Sequence, residues 1–169
     1  MTKIDFYITN INTLDDYWNF ACRLTEKAFR KQCDVYLHTA NEEHMAAVDK
    51  LLWTFRPNSF LPHSSEPISK ISSETSSETS SEISSQENED SSKTDSAASA
   101  TGEILVACSG DPRDHHDVLV NLTEQTPECF SRFTRVAEVV MGTDEAKAKS
   151  RQRYKYYRDR GYPLEVHNL

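Results

Sequence analysis

The sequence predicts a three-layer α/β/α domain, with helices on both faces of a mostly parallel sheet of about five strands, Rossmann-like but without a nucleotide site. Three observations predict it. Short runs rich in Val, Ile, Leu, Tyr and Phe alternate with amphipathic stretches. Those runs are apolar along their length, as strands covered on both faces are. The 169 residues suffice for one real core, with a compositionally distinct stretch in the middle that reads as an insertion.

Lys3 to Thr9 is the first strand. Asp15 to Lys31 follows as a helix, with Tyr17, Phe20, Ala21, Leu24 and Ala28 at helical spacing and Thr13 or Asp15 placed to cap it. Cys33 to Thr39 is the second strand, and Glu42 to Thr54 the second helix, with Met45, Val48, Leu51 and Leu52 on one face and Asn41 as N-cap. Glu103 to Cys108, Asp117 to Leu122 and Thr134 to Val140 complete the strands. The last helix spans about Asp144 to Arg158, with Thr143 as a cap and Gly161-Tyr162-Pro163 as the stop.

Residues 64–100 differ in kind, so the domain is expected to comprise 1–63 and 101–169. The segment has fifteen serines, no aromatic residue and a tetrad repeat beginning Ser72-Ser-Glu-Thr. Such a composition cannot offset its ordering entropy by burial, and disorder is expected. Eight acids against Lys70 and Lys93 give it -6 of the chain's net -8. Residues 147–160, by contrast, hold seven bases and one acid, and this segregation calls for an anionic partner. At about 100° per residue, Ala146, Ser150, Tyr154 and Tyr157 form one seam. Lys147, Arg151, Lys155 and Arg158 lie on one side of it, and Lys149, Arg153 and Arg160 on the other. An aromatic stripe between two cationic ridges is the expectation.

Enzymatic chemistry has thin support. Ligands of open α/β sheets bind at the carboxyl ends of strands, here Asn10, Thr39, Ser109-Gly110-Asp111 and Asn121. The loop after the first strand has no glycine, so no dinucleotide fingerprint exists, and no Walker A run occurs. Asp114-His115-His116-Asp117 has metal-ligand residue types but lacks the accompanying Asp-rich motifs. With Asp111 it carries the alternative of a metal-dependent phosphoesterase, while the leading expectation is no catalytic residue, no metal and no cofactor. Cys22, Cys33, Cys108 and Cys129 lack C-x-x-C spacing and read as small core residues. No apolar run has signal-peptide or membrane-spanning length, and a cytoplasmic protein is expected.

Binding chemistry is better supported. Leu51 to His63 is dense in aromatics and proline, and Trp53 and Phe60 read equally as core closure or as interface anchors. Four stretches then resemble the chi subunits of bacterial DNA polymerase III holoenzyme: Ile4-Asp5-Phe6-Tyr7, Leu52-Trp53 through Ser59-Phe60-Leu61-Pro62-His63, Asp117 to Leu122, and Arg151-x-Arg153-Tyr154-Lys155-x-Tyr157-Arg158 with Gly161. The resemblance covers nearly all of residues 3–63 and 103–169. It implies a noncatalytic accessory subunit of the clamp-loader complex, linking it to single-stranded-DNA-binding protein, with DNA engaged only indirectly and no membrane. The acidic C-terminal tail of that protein, ending in an apolar residue and Phe, is implied to bind Arg151, Tyr154 and Lys155, with Lys147 and Arg158 beside them. Trp53, Phe60, Pro62 and His63 match the contact for the psi subunit, or for a helicase at the same surface; the isolated chain is then a monomer that pairs with psi. The Ser/Glu insertion departs from the family pattern. Direct binding of single-stranded nucleic acid, with Tyr154, Tyr156 or Tyr157 stacking on bases, stays open as an alternative.

Overall fold

A computed structural model of the chain describes residues 1–57, 61–66 and 102–169. The described elements run β1 (Lys3–Ile8), α1 (Leu14–Phe29), β2 (Val35–His38), α2 (Glu42–Thr54), β3 (His63–Glu66), β4 (Ile104–Ala107), β5 (Val118–Asn121), a short 3-10 helix (Glu128–Arg132), β6 (Arg135–Val140), α3 (Asp144–Asp159) and β7 (Leu164–Asn168). The strands form one sheet in the order β3-β4-β2-β5-β6-β1-β7, with every neighbouring pair parallel.

The three-layer α/β expectation therefore holds, with seven strands in place of five. Five of them lie within a residue or two of their expected bounds. The two additional strands occupy the two edges. β3 has no apolar residue, so hydropathy gives no signal for it; its pairing with β4 runs from His63↔Ile104 to Glu66↔Ala107. Ser64, Ser65 and Glu66, the first residues of the expected insertion, thus belong to the sheet, and most of that segment, 67–100, lies outside the described residues.

Alternation along the strands builds two cores. Val35 and Leu37 pack with Tyr17, Ala21, Met45, Val48 and Leu52 of α1 and α2 on one face. Tyr36, Phe6, Leu119 and Val136 pack with Phe130, Phe133 and Tyr157 on the other, under α3 and the 3-10 helix. Cys22 and Cys129 are buried in these cores, whereas Cys33 and Cys108 are only half-buried. On the α1 face, β1 and its neighbours also carry charge: Lys3 pairs with Glu165, and Arg135 with the buried Asp5.

The helix ends follow from local chemistry. Thr13, Asn41 and Thr143 each accept a hydrogen bond from a first-turn backbone N–H, those of Asp16, His44 and Ala146. α3 stops at Gly161, whose φ of 78° is a left-handed conformation suited to glycine. The Gly161 and Tyr162 N–H groups donate back to Arg158 O and Tyr157 O at 2.9 and 3.2 Å, a Schellman arrangement. It folds Tyr162 against Tyr157, at 6.3 Å between ring centroids, and directs Pro163 into β7.

Candidate functional site

α3 is held on the sheet by a buried polar network. Glu138, in the middle of apolar β6, has 0% exposure and Arg153 only 7%. Arg153 Nε donates to Glu138 Oε2 at 3.0 Å, Asn121 Nδ2 donates to the same oxygen at 3.0 Å, and the Tyr157 hydroxyl donates to Oε1 at 2.7 Å. Burial pushes the Glu138 carboxyl up, and Arg153, Tyr157 and Asn121 pull it back. Arg153 Nη1 also donates to Glu124 O at 2.8 Å.

The expected second cationic ridge is therefore corrected. Arg153 is interior, a buried carboxylate having claimed it. Lys149 Nζ lies 2.6 Å from Glu124 and 2.7 Å from Glu145, and the Arg160 guanidinium sits 3.5 Å over the Tyr156 ring. All three cations are engaged within the chain.

The other flank of α3 is different. Arg151, Lys155 and Arg158 are exposed and Lys147 is half-buried. Among the described residues no ion pair engages Lys147, Arg151 or Lys155; Arg158 reaches only its exposed neighbour Asp159, at 3.3 Å. Tyr154 lies at the foot of this flank, half-buried, 5.5 Å from the Phe6 ring in an edge contact. Arg153 points toward β5 and β6, and Tyr154 toward β1, so by helical spacing Lys147, Arg151 and Arg158 lie on the side of β1 and β7.

β7 completes that side. Register pairs Leu164 with Ile4 and Val166 with Phe6, placing both on the α3 face of the sheet. Val166 is 42% exposed. The flank is thus an apolar floor of Phe6, Tyr154, Leu164 and Val166 beside a row of cations of which, among the described residues, only Arg158 has an ion pair. Leu164 and Val166 were not among the expected site residues; their alternation with Glu165 and His167 was the available signal.

At the opposite edge of the sheet, α2 and β3 display a second surface. Trp53 is 53% exposed and lies 4.9 Å from the His63 ring. His63 Nδ1 is 2.7 Å from Leu61 O, and its Nε2 is 3.2 Å from Asp49. Pro62 is exposed and Leu61 buried. Trp53 therefore stands on the surface instead of closing the core, while Phe60 lies outside the described residues.

A cavity of about 680 Å³ opens at the carboxyl ends of β2, β4, β5 and β6, lined in part by His38, Thr39, Ser109, Gly110, Lys149 and Arg153. Its cations are already paired, and the Ser109–Asp111 loop turns inward: Ser109 Oγ accepts from Asp111 N and Asp111 Oδ1 from Arg113 N. Of the other residues expected at the strand ends, Asn10 donates to Leu169 O and Asn121 belongs to the Glu138 network. The Asp114–Asp117 string does not converge: His115 is buried against Pro112 O, and Asp117 accepts from Asp34 N at 2.9 Å. Asp5, Glu165 and His167 do converge, within 4.8 Å, but Arg135 and Lys3 neutralise the two carboxylates.

His38 in this cavity supports a pH prediction. Burial lowers its pKa from the ordinary 6.5, so the fold favours the neutral ring. Its contribution to stability is then present above pH 6.5 and lost as pH falls from there toward the lowered folded value. Urea melts at pH 7.5 and 5.5 are expected to show a loss of up to about 1.4 kcal/mol per pH unit within that window. His38→Gln should flatten this slope; an unchanged slope would assign it to other groups.

No helix among the described residues is long and apolar enough to cross a membrane. A family model described as "DNA polymerase III chi subunit, HolC" matches residues 1–165. The chain is 32% identical over its full 169 residues to the DNA polymerase III subunit chi of Pseudomonas aeruginosa, covering 98% of that protein. It is 26% identical over 165 residues, 97% of this chain and 95% of the relative, to the subunit chi of Haemophilus influenzae. The chain belongs to the family of DNA polymerase III chi subunits, proteins of DNA replication.

Proposed function

We propose that this chi-family chain is a noncatalytic adaptor that binds the acidic C-terminal tail of single-stranded-DNA-binding protein on the α3–β7 flank and so links it to the polymerase assembly. The observation that carries this reading is the set of α3 cations, Lys147, Arg151 and Lys155, which make no ion pair among the described residues, on the helix whose Tyr154 packs against Phe6. Cations next to an apolar floor suit a peptide that combines carboxylates with a terminal aromatic residue. They suit stacked bases less well, because Tyr157 is buried and Tyr156 is covered by Arg160, so of the three α3 tyrosines Tyr154 alone is left to stack.

Fluorescence anisotropy with a labelled acidic peptide ending in Phe, beside the same peptide lacking the Phe and a single-stranded oligonucleotide, tests this. The intact peptide is expected to bind, the truncated one about tenfold or more weakly, as loss of a buried aromatic anchor implies. Equal binding of the two peptides, or tighter binding of the oligonucleotide, contradicts the proposal.

Trp53, Pro62 and His63 on the α2–β3 surface are proposed to hold the psi subunit or a helicase, and Phe60, which lies outside the described residues, is proposed to take part. A large exposed aromatic against the His63 ring, with Pro62 exposed, suits an interface anchor. Trp53→Ala is expected to weaken that partner by about 2 kcal/mol or more in a pull-down or calorimetric titration, while tail binding at the distant α3 flank stays unchanged. A loss of tail binding would mean that the two surfaces are not separate.

A further inference from the structure

Among the described residues, β7 ends the sheet, paired only with β1. Ile4 N donates to Pro163 O at 2.9 Å, and Leu169 N donates to Ile8 O at 3.0 Å. In a parallel ladder the backbone groups of alternate residues face one neighbour. Residues 163, 165, 167 and 169 therefore face β1, and the N–H and C=O groups of Leu164, Val166 and Asn168 point outward. Nothing among the described residues pairs with them.

Open edges are ordinarily blunted by a bulge, a proline or charged side chains. This one runs in regular register from Ile4↔Leu164 to Ile8↔Asn168, with no bulge. Pro163 precedes the strand, and Val166 is exposed on the side that faces the α3 cations.

We propose that the acidic tail binds as an added strand, hydrogen-bonding along the outer edge of β7 while alternate side chains face α3. This rests on the tail-binding reading and specifies how the peptide is held. A strand added about 4.8 Å beyond β7 presents every second side chain to the α3 face. An apolar residue there meets Val166 and the Tyr154 edge, and an acid two positions away faces the Lys147–Arg151–Arg158 row. The occupant is an acidic peptide and not a second copy of the chain, because edge-to-edge pairing of two β7 strands would set two such cationic rows together. An oligonucleotide has no peptide N–H and C=O groups with which to pair in this way.

The test uses the full chain and two analogues of the acidic peptide ending in Phe, N-methylated at alternate sets of backbone positions. One analogue is expected to bind at least about tenfold more weakly than the unmodified peptide and the other within about twofold, since only every second N–H of an added strand faces β7. Equal affinity of the two analogues, whether both retained or both lost, overturns strand addition. If the unmodified peptide binds and both analogues match it, only the strand pairing fails. If the unmodified peptide does not bind, the tail-binding reading fails and strand addition falls with it.

Discussion

Arg153→Ala is expected to lower the unfolding free energy by about 3–5 kcal/mol, the usual consequence of removing one partner of a buried ion pair. The reason is the carboxylate left behind. Glu138 has 0% exposure and lies in a strand whose other residues after Arg135 are Val, Ala, Val and Val, and among the described residues Arg153 is the cation paired with it. Asn121 and Tyr157 would still donate to it, but neither carries charge. Domains of this size are stable by only about 5–15 kcal/mol, and a large fraction of that margin is at stake. The double variant Arg153→Met, Glu138→Leu should lose less than Arg153→Ala alone, because two apolar side chains leave no buried charge. Urea denaturation of the three proteins measures this. A loss below about 1 kcal/mol for Arg153→Ala would show that the network does not hold α3.

Arg151, two residues away, should behave in the opposite manner. It is exposed and, among the described residues, unpaired, so Arg151→Ala is expected to change stability by no more than about 0.5 kcal/mol. Its effect should fall on tail binding, a loss of about 1–3 kcal/mol, typical of a charged hydrogen-bonding partner, or roughly 5- to 150-fold in affinity. Lys155→Ala should add to it, and the difference from wild type should shrink as salt is raised, because both side chains are solvent-facing. Calorimetric titration beside a thermal melt separates the two effects. Unchanged affinity would remove Arg151 from the site, whereas a large loss of stability would mean that its role is structural.

The contrast between these two arginines shows how far the sequence could be read. Five strands were legible because they are predominantly apolar, and the helices because their periodicity agrees with capping residues at Thr13, Asn41 and Thr143. The edges were not legible. β3 is His-Ser-Ser-Glu and exists through backbone pairing, which leaves no side-chain pattern. β7 does alternate, but over only five residues. Helical spacing placed Lys147, Arg151, Lys155 and Arg158 on one side of a seam that holds Tyr154, and in the structure Arg151, Lys155 and Arg158 are exposed while Tyr154 is half-buried against Phe6. The same spacing put Arg153 in solvent, because hydropathy assigns arginine to the surface. A clue to its burial lay elsewhere: a glutamate inside the apolar run of β6 must find a counter-charge, and α3 is the helix that follows.

The most direct measurement is a backbone amide NMR titration of the full chain with the acidic peptide ending in Phe. Binding on the α3–β7 flank predicts chemical-shift changes concentrated in residues 147–158 and 164–168, with little change around Trp53 and His63. Changes centred on α2 and β3, or on the loops after β2 and β4 that line the cavity, would contradict it.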